Sequence, residues 1–210
     1  MRIINALLLA TSLTMLACKN QDALAPAQPV TPPNQDVEAL YQRFHGKYQL
    51  VSVTSNQPLD VDFDGVASTN LLQEMAALNE NSAFLELRVK YPDRSVFLFS
   101  QFWPEQYVYS FTKPGNLHWN GWDMLDYNPA YSVQYAQQSN PYSFSFNDDL
   151  SQVLVAPNPN PDPARWAKPE VVLVEANQRL RLVNKRRIYT REGVKEVTIT
   201  TVYQRFTMTT

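Results

Sequence analysis

Phe44-His-Gly-Lys-Tyr-Gln-Leu-Val-Ser-Val53 opens the stretch that decides the fold; Asp60-Val-Asp-Phe-Asp-Gly65 and Ser68–Asn79 complete it. The first piece alternates aromatic, β-branched and polar residues, which predicts a strand. The second is an acidic loop. The third reads as a short helix, with Ser68 at its N-cap and Leu71, Met75 and Leu78 on one apolar face. Everything after this stretch has the period of antiparallel strands. Everything before it reads as export leader and tether.

The acidic loop is the motif with the most chemical content. Asp60, Asp62 and Asp64 alternate, and Gly65 follows at once. A hard cation such as Ca²⁺ takes six to eight oxygen ligands, and alternate carboxylates on a tight loop converge on one point. Glycine permits the sharp turn that aims them there. The spacing follows an EF-hand loop through the backbone carbonyl of Val66 and the side chain of Ser68. The twelfth position, where a bidentate Glu belongs, holds Leu71, and the next acid is Glu74. The expected ligand set is therefore Asp60, Asp62, Asp64, Val66, Ser68 and Glu74. The same residues also read as a polar turn between a strand and a helix.

Downstream, Leu85, Leu87, Val89 and Tyr91 alternate with charged residues, and Ser95–Trp103 is apolar on both faces, as a covered central strand would be. Tyr107, Tyr109 and Phe111 alternate next, then Tyr131, Val133 and Tyr135, then Tyr142, Phe144 and Phe146. Trp119-Asn-Gly-Trp122 reads as a hairpin with a two-residue turn. The prolines from Pro157 to Pro169 predict a stiff loop. Val171–Val174, Leu180–Val183 and Val194–Phe206 are closing strands, with a turn at Glu192-Gly193. Eight to ten strands with short links predict a closed all-β antiparallel barrel, with one short helix after the first strand.

Gly46-Lys47-Tyr48 at the start and Val202-Tyr203-Gln204-Arg205 near the end resemble the two signature ends of lipocalins. That resemblance implies a lipocalin-like barrel in which Arg205 covers Tyr48 at the closed end. The order of glycine-aromatic strand, Asp-rich loop, short helix, strands and final arginine is similar to the lipocalin-like lipoproteins of the bacterial cell envelope.

Met1-Arg2, the apolar run Ile3–Leu16 and Leu16-Ala-Cys18 resemble a bacterial lipoprotein signal. Cleavage before Cys18 leaves a signal peptide at 1–17 and a lipidated cysteine. An ordinary secretory leader cut after Ala17, or an uncleaved anchor, are the other readings. Cys18 is the sole cysteine, so no internal disulfide competes for it. By resemblance to sorted lipoproteins, Lys19 points to the outer membrane. Residues 18–36, rich in Pro, Ala and Gln, form a tether. Asp36–Arg43 has helical spacing, and the barrel domain runs over 37–210.

No catalytic constellation stands out. His45 and His118 lack metal-ligand spacing. Trp119 and Trp122 suit packing across a hairpin or stacking on a ring. Lys185-Arg-Arg187 with Arg179, Arg181 and Arg191 reads as a solvated basic face or a contact for anionic head groups. The net charge of -2 gives no footprint for nucleic acid. Three functions follow in order: a tethered module holding a small apolar or amphipathic ligand in its barrel, a filled structural or interaction module of a cell-surface assembly, and a hydrolase. The expected partners are the membrane, through the lipid anchor, and a small ligand or an envelope protein.

Overall fold

The computed structural model describes residues 36–80, 83–89, 97–110, 116–157 and 168–210. The leader, Cys18 and the tether through residue 35 lie outside the described residues, as does the proline run from 158 to 167.

The described chain begins with α1 (Val37–Phe44), for which the Asp36 side chain accepts a hydrogen bond from Glu38 N. Asp36 is thus the N-cap of the helix that the spacing of Asp36–Arg43 predicts. Phe44, expected to open a strand, is the last residue of α1 and is buried. Strand β1 (Gly46–Leu59) follows without a loop. Gly46 makes that sharp passage possible: its φ is +134°, and a Cβ there would lie 2.1 Å from Thr207 O.

The predicted helix at Ser68–Asn79 is divided. Ser68–Asn70 is a short strand, β2, on the edge of β1, with Thr54 opposite Asn70 and Leu59 opposite Ser68. The helix α2 covers only Leu71–Glu74 and is capped by the Asn70 side chain, not by Ser68. Local side-chain bonds move the start: the Ser68 hydroxyl accepts from Asn70 N at 3.0 Å. Such residues compete with helical hydrogen bonding. A 3-10 turn at Ala76–Asn79 completes the segment. Leu71, Met75 and Leu78 are all buried, as the face pattern predicts.

Among the described residues, nine further strands follow: β3 (Phe84–Arg88), β4 (Phe97–Ser110), β5 (Leu117–Trp119), β6 (Tyr131–Gln138), β7 (Pro141–Phe146), β8 (Val153–Val155), β9 (Val171–Glu175), β10 (Arg179–Thr190) and β11 (Gly193–Thr207). The order β8-β7-β4-β3-β1-β11-β10-β9 makes an eight-stranded, up-and-down antiparallel path. A single bridge between Gln152 and Leu173 joins its two edges, so the barrel is nearly closed. β4 is the central covered strand expected from the apolar run. One flank carries β3 and β5; the other carries β7 and β6, which run end to end along it.

Two sequence expectations are corrected here. Trp119-Asn-Gly-Trp122 is not a hairpin: β5 and β6 pair with opposite edges of β4, Val108 facing Trp119 on one side and Val133 on the other. Trp119 is buried and gives its indole N–H to Asp123 O, whereas Trp122 is 47% exposed. The last turn is Arg191-Glu192 rather than Glu192-Gly193, since Thr190 pairs with Gly193.

Aromatic and aliphatic side chains fill the α1 end of the barrel, among them Leu40, Phe44, Tyr48, Phe99, Phe144 and Tyr203. Polar side chains reach across the middle. Gln101 Nε2 on β4 donates to the Tyr203 hydroxyl on β11 at 3.1 Å. Arg186 on β10 is ion-paired with Glu105 on β4 at 2.6 Å and stacks over Trp103. β4 stands opposite β10 and β11 in the barrel, so these bonds cross the lumen. Eight strands leave an interior that side chains can fill, and here they do so at this level.

Candidate metal centre

The acidic loop leaves β1 at the end of the barrel opposite α1. Val61 is buried and packs with Leu59, Leu71 and Met75. That anchor fixes both flanks of the loop against α2. Val61 N donates to Glu74 Oε2 at 3.0 Å, drawing the α2 carboxylate to the loop. Asp60 Oδ2 accepts Gly65 N at 2.9 Å, closing the turn. Gly65 has φ +95°, and a Cβ there would meet the Arg191 guanidinium at 2.8 Å. Phe63 also has positive φ, at 68°, and is wedged between Tyr127 and Tyr189. A non-glycine residue in that region is held by its surroundings.

Asp60, Asp62 and Glu74 converge: one carboxylate oxygen from each lies within 4.8 Å of the others. Asp60 is 9% exposed and Glu74 5%, while Asp62 faces solvent. Asp60 Oδ1 is buried and accepts no hydrogen bond. The nearest cation, Arg191 Nη1, is 3.9 Å from Asp60 Oδ2 and also donates to Phe63 O. Burial raises the Glu74 pKa above its ordinary value; the Val61 N–H opposes this, and the negative charges of Asp62, Asp60 and Asp64 add to the rise. Burial raises the Tyr135 pKa above its ordinary value; the hydrogen bond with Gln106 opposes this, and Asp62 adds to the rise. A buried, carboxylate-rich site with an unused oxygen has the donor chemistry for a hard metal ion.

The expected ligand set is thus brought together in part. Asp60 and Asp62 from the loop and Glu74 from α2 form the centre. Asp64 lies outside the trio and turns Oδ1 onto Val66 N at 2.7 Å. Val66 is 68% exposed. Ser68 sits in β2, its hydroxyl donating to Gln73 Oε1 at 3.2 Å. The role of Arg191 has no local signal in sequence; it enters because the β10–β11 turn folds over the loop, with Arg191 N donating to Asp60 O.

The other candidates fall elsewhere. Tyr48 and Arg205 are register partners on β1 and β11. Tyr48 donates its hydroxyl to Phe44 O at 2.6 Å, and Arg205 Nη1 reaches Gln42 O and His45 O at the end of α1. Gly46, Tyr48 and Arg205 together fasten α1 to the barrel. His45 is buried, and its Nδ1 accepts Val89 N at 3.2 Å. Burial lowers its pKa; Glu86 opposes that, and Arg88 and Arg205 reinforce it. The basic stretch is largely neutralised: Arg181 pairs with Glu175, Lys185 with Glu170, Arg186 with Glu105 and Arg187 with Glu196. Among the described residues, no helix is long and apolar enough to cross a membrane. Comparison with family models, with curated proteins and with solved structures finds no match to this chain.

Proposed function

We propose that this chain is a lipid-tethered, non-enzymatic module of the bacterial envelope, carried on Cys18 at the outer membrane. Its filled lipocalin-like barrel serves as a rigid scaffold for contacts within a surface assembly, and calcium fixes the loop at its far end. The single observation behind the calcium reading is the convergence of Asp60, Asp62 and Glu74 around an Asp60 oxygen with no partner. Protein and water oxygens around those three carboxylates would complete the six to eight that calcium takes. The scaffold reading is supported by the bonds that cross the lumen, which occupy the space where an internal ligand would sit.

A carrier of a small apolar or amphipathic molecule is the second reading. It draws support from the aromatic surroundings of Phe97, Phe99, Tyr142, Phe144 and Phe146. A hydrolase has the least support. Thr210 Oγ1 lies 3.3 Å from His45 Nε2, but His45 Nδ1 already accepts Val89 N. Neutral His45 must then carry its proton on Nε2, and it cannot take one from Thr210.

The deciding experiment is native mass spectrometry and terbium luminescence on the exported protein, with calcium and with chelator. A chelator-sensitive adduct that disappears in Asp62→Asn/Glu74→Gln supports the calcium scaffold. A bare mass in both conditions would remove calcium from the account, and a retained lipid-sized adduct would favour the carrier.

A further inference from the structure

At the α1 end, a cavity of about 210 Å³ opens between the helix and the β9–β10 turn. Its floor is apolar: Phe44, Tyr48, Val174 and Leu180 line it. Its rim carries Arg43 and Arg179, both exposed. Neither has a carboxylate partner among the described residues. Arg43 rests its guanidinium over the Phe44 ring at 4.8 Å, and Arg179 Nε is held by Gln204 Oε1 at 3.0 Å. The one acid at the rim, Glu175, is already paired with Arg181 at 2.6 Å. The lip of the cavity is formed by Asn177 and Gln178, both left-handed, with φ near 58° and 60°. β11 clamps that lip: Gln204 Nε2 donates to Asn177 O at 2.7 Å, and Arg205 Nε to Gln178 Oε1 at 3.1 Å. Backbone held in such a sparsely populated region is characteristic of ligand clamps.

We propose that this cavity binds a small anionic amphiphile, with its acidic head between Arg43 and Arg179 and its apolar chain on Phe44, Val174 and Leu180. Two uncompensated guanidinium groups over an apolar floor complement a carboxylate or phosphate on a hydrocarbon chain. The volume is below the roughly 300 Å³ where drug-sized ligand pockets begin. The occupant is therefore one short acyl chain or a single ring, not a sterol or a haem. The site is separate from the filled lumen and from the acidic loop at the other end, so it does not depend on calcium. The acidic head has two sources, a free fatty acid and an anionic phospholipid of the bilayer.

The test uses full-length lipidated protein in nanodiscs of zwitterionic lipid, photolabelled with decanoate carrying a diazirine on its chain. Crosslinks are expected on the peptides holding Arg43–Tyr48 and Val174–Leu180, displaced by plain decanoate and not by decanol. Arg43→Gln/Arg179→Gln, at two exposed positions, should label about tenfold less with an unchanged melting temperature, as loss of charged hydrogen bonds implies. A parallel arm places the diazirine on phosphatidylglycerol within the nanodisc. Labelling of the same peptides there assigns the site to bilayer lipid, and labelling only by free decanoate assigns it to fatty acid. Labelling that survives the double substitution, that decanol displaces equally, or that maps instead to the separate surface groove lined by Leu50, Leu72, Phe84 and Phe206 would overturn the proposal.

Discussion

The two ends of the barrel are closed by opposite means. At one end α1 inserts Leu40 and Phe44 among aromatic rings, and its last carbonyls are met by Arg205, so closure comes from burial and a capping cation. At the other, a loop of alternating aspartates folds on itself around carboxylates that repel one another, with Arg191 the one cation paired with them among the described residues. The first end holds itself shut with what the chain supplies. The second gathers negative charge and leaves an oxygen unused, so it gains most from a cation supplied by solution. An end can therefore be finished in the sequence or left for an ion to finish, and different experiments distinguish the two.

The largest effect is expected where closure is packing. Phe44→Ala removes a ring tilted against Phe146, centroids 4.2 Å apart, and should cost about 3–4 kcal/mol, equally with calcium and with chelator. Denaturant titration checks this, and a calcium-dependent loss would mean that the two ends are not separable. Next, calcium at about a hundredfold over its dissociation constant should stabilise the wild-type protein by about 2.7 kcal/mol. Asp62→Asn/Glu74→Gln should abolish that gain and leave the chelated protein no less stable. If the variant loses stability in chelator too, the carboxylates serve the fold and not an ion.

Smaller effects sharpen the α1 side. Arg205→Gln removes the guanidinium that meets Gln42 O and His45 O and should cost about 1–2 kcal/mol. Faster hydrogen exchange confined to α1 and the Asn177–Gln178 turn would place the loss there; exchange raised evenly around the barrel would contradict it. The smallest effect is pH dependence. The His45 pKa is lower in the fold than its ordinary 6.5, so the unfolded chain binds the proton more readily. Stability contributed by neutral His45 is present above about pH 6.5 and declines as pH falls through that value toward the folded pKa. Protonation also adds a hydrogen at Nδ1, where Val89 N–H now points. His45→Gln should flatten this slope in melting curves recorded from neutral to mildly acidic pH; an unchanged slope would assign it to another group.

Most of the barrel is legible because its strands alternate. Leu85 and Leu87, Tyr142 and Phe144, and Val197 and Ile199 announce their inward faces by residue type. Legibility fails where polar residues point inward. Leu180–Val183 reads as the strand and Arg186 as part of a solvated basic face, yet Asn184 and Arg186 continue the buried face of β10, and Arg186 can do so because Glu105 and Trp103 receive it from across the lumen. The same limit applies at the metal centre. The alternation of Asp60 and Asp62 is visible in one loop, whereas Glu74 joins through Val61 N and Arg191 through a turn more than a hundred residues later. Trp119-Asn-Gly-Trp122 misleads for a related reason: its local turn chemistry favours a hairpin, but both neighbouring strands find better edges on β4.

The pairing of β1 with β11 has a consequence in time. Lys47 lies opposite Thr207 and Ser55 opposite Ile199, so the first strand made is completed by the last. β3 covers Gly46–Gln49 and β2 reaches Thr54–Leu59 on one edge of β1, whereas the opposite edge waits for nearly the whole chain to emerge. During synthesis, β1 is an open template for pairing with other chains. Closure at such sequence distance is slow. The half-buried Lys47 and the exposed Gln49 of β1 stand as guards over an edge that its own partner reaches last.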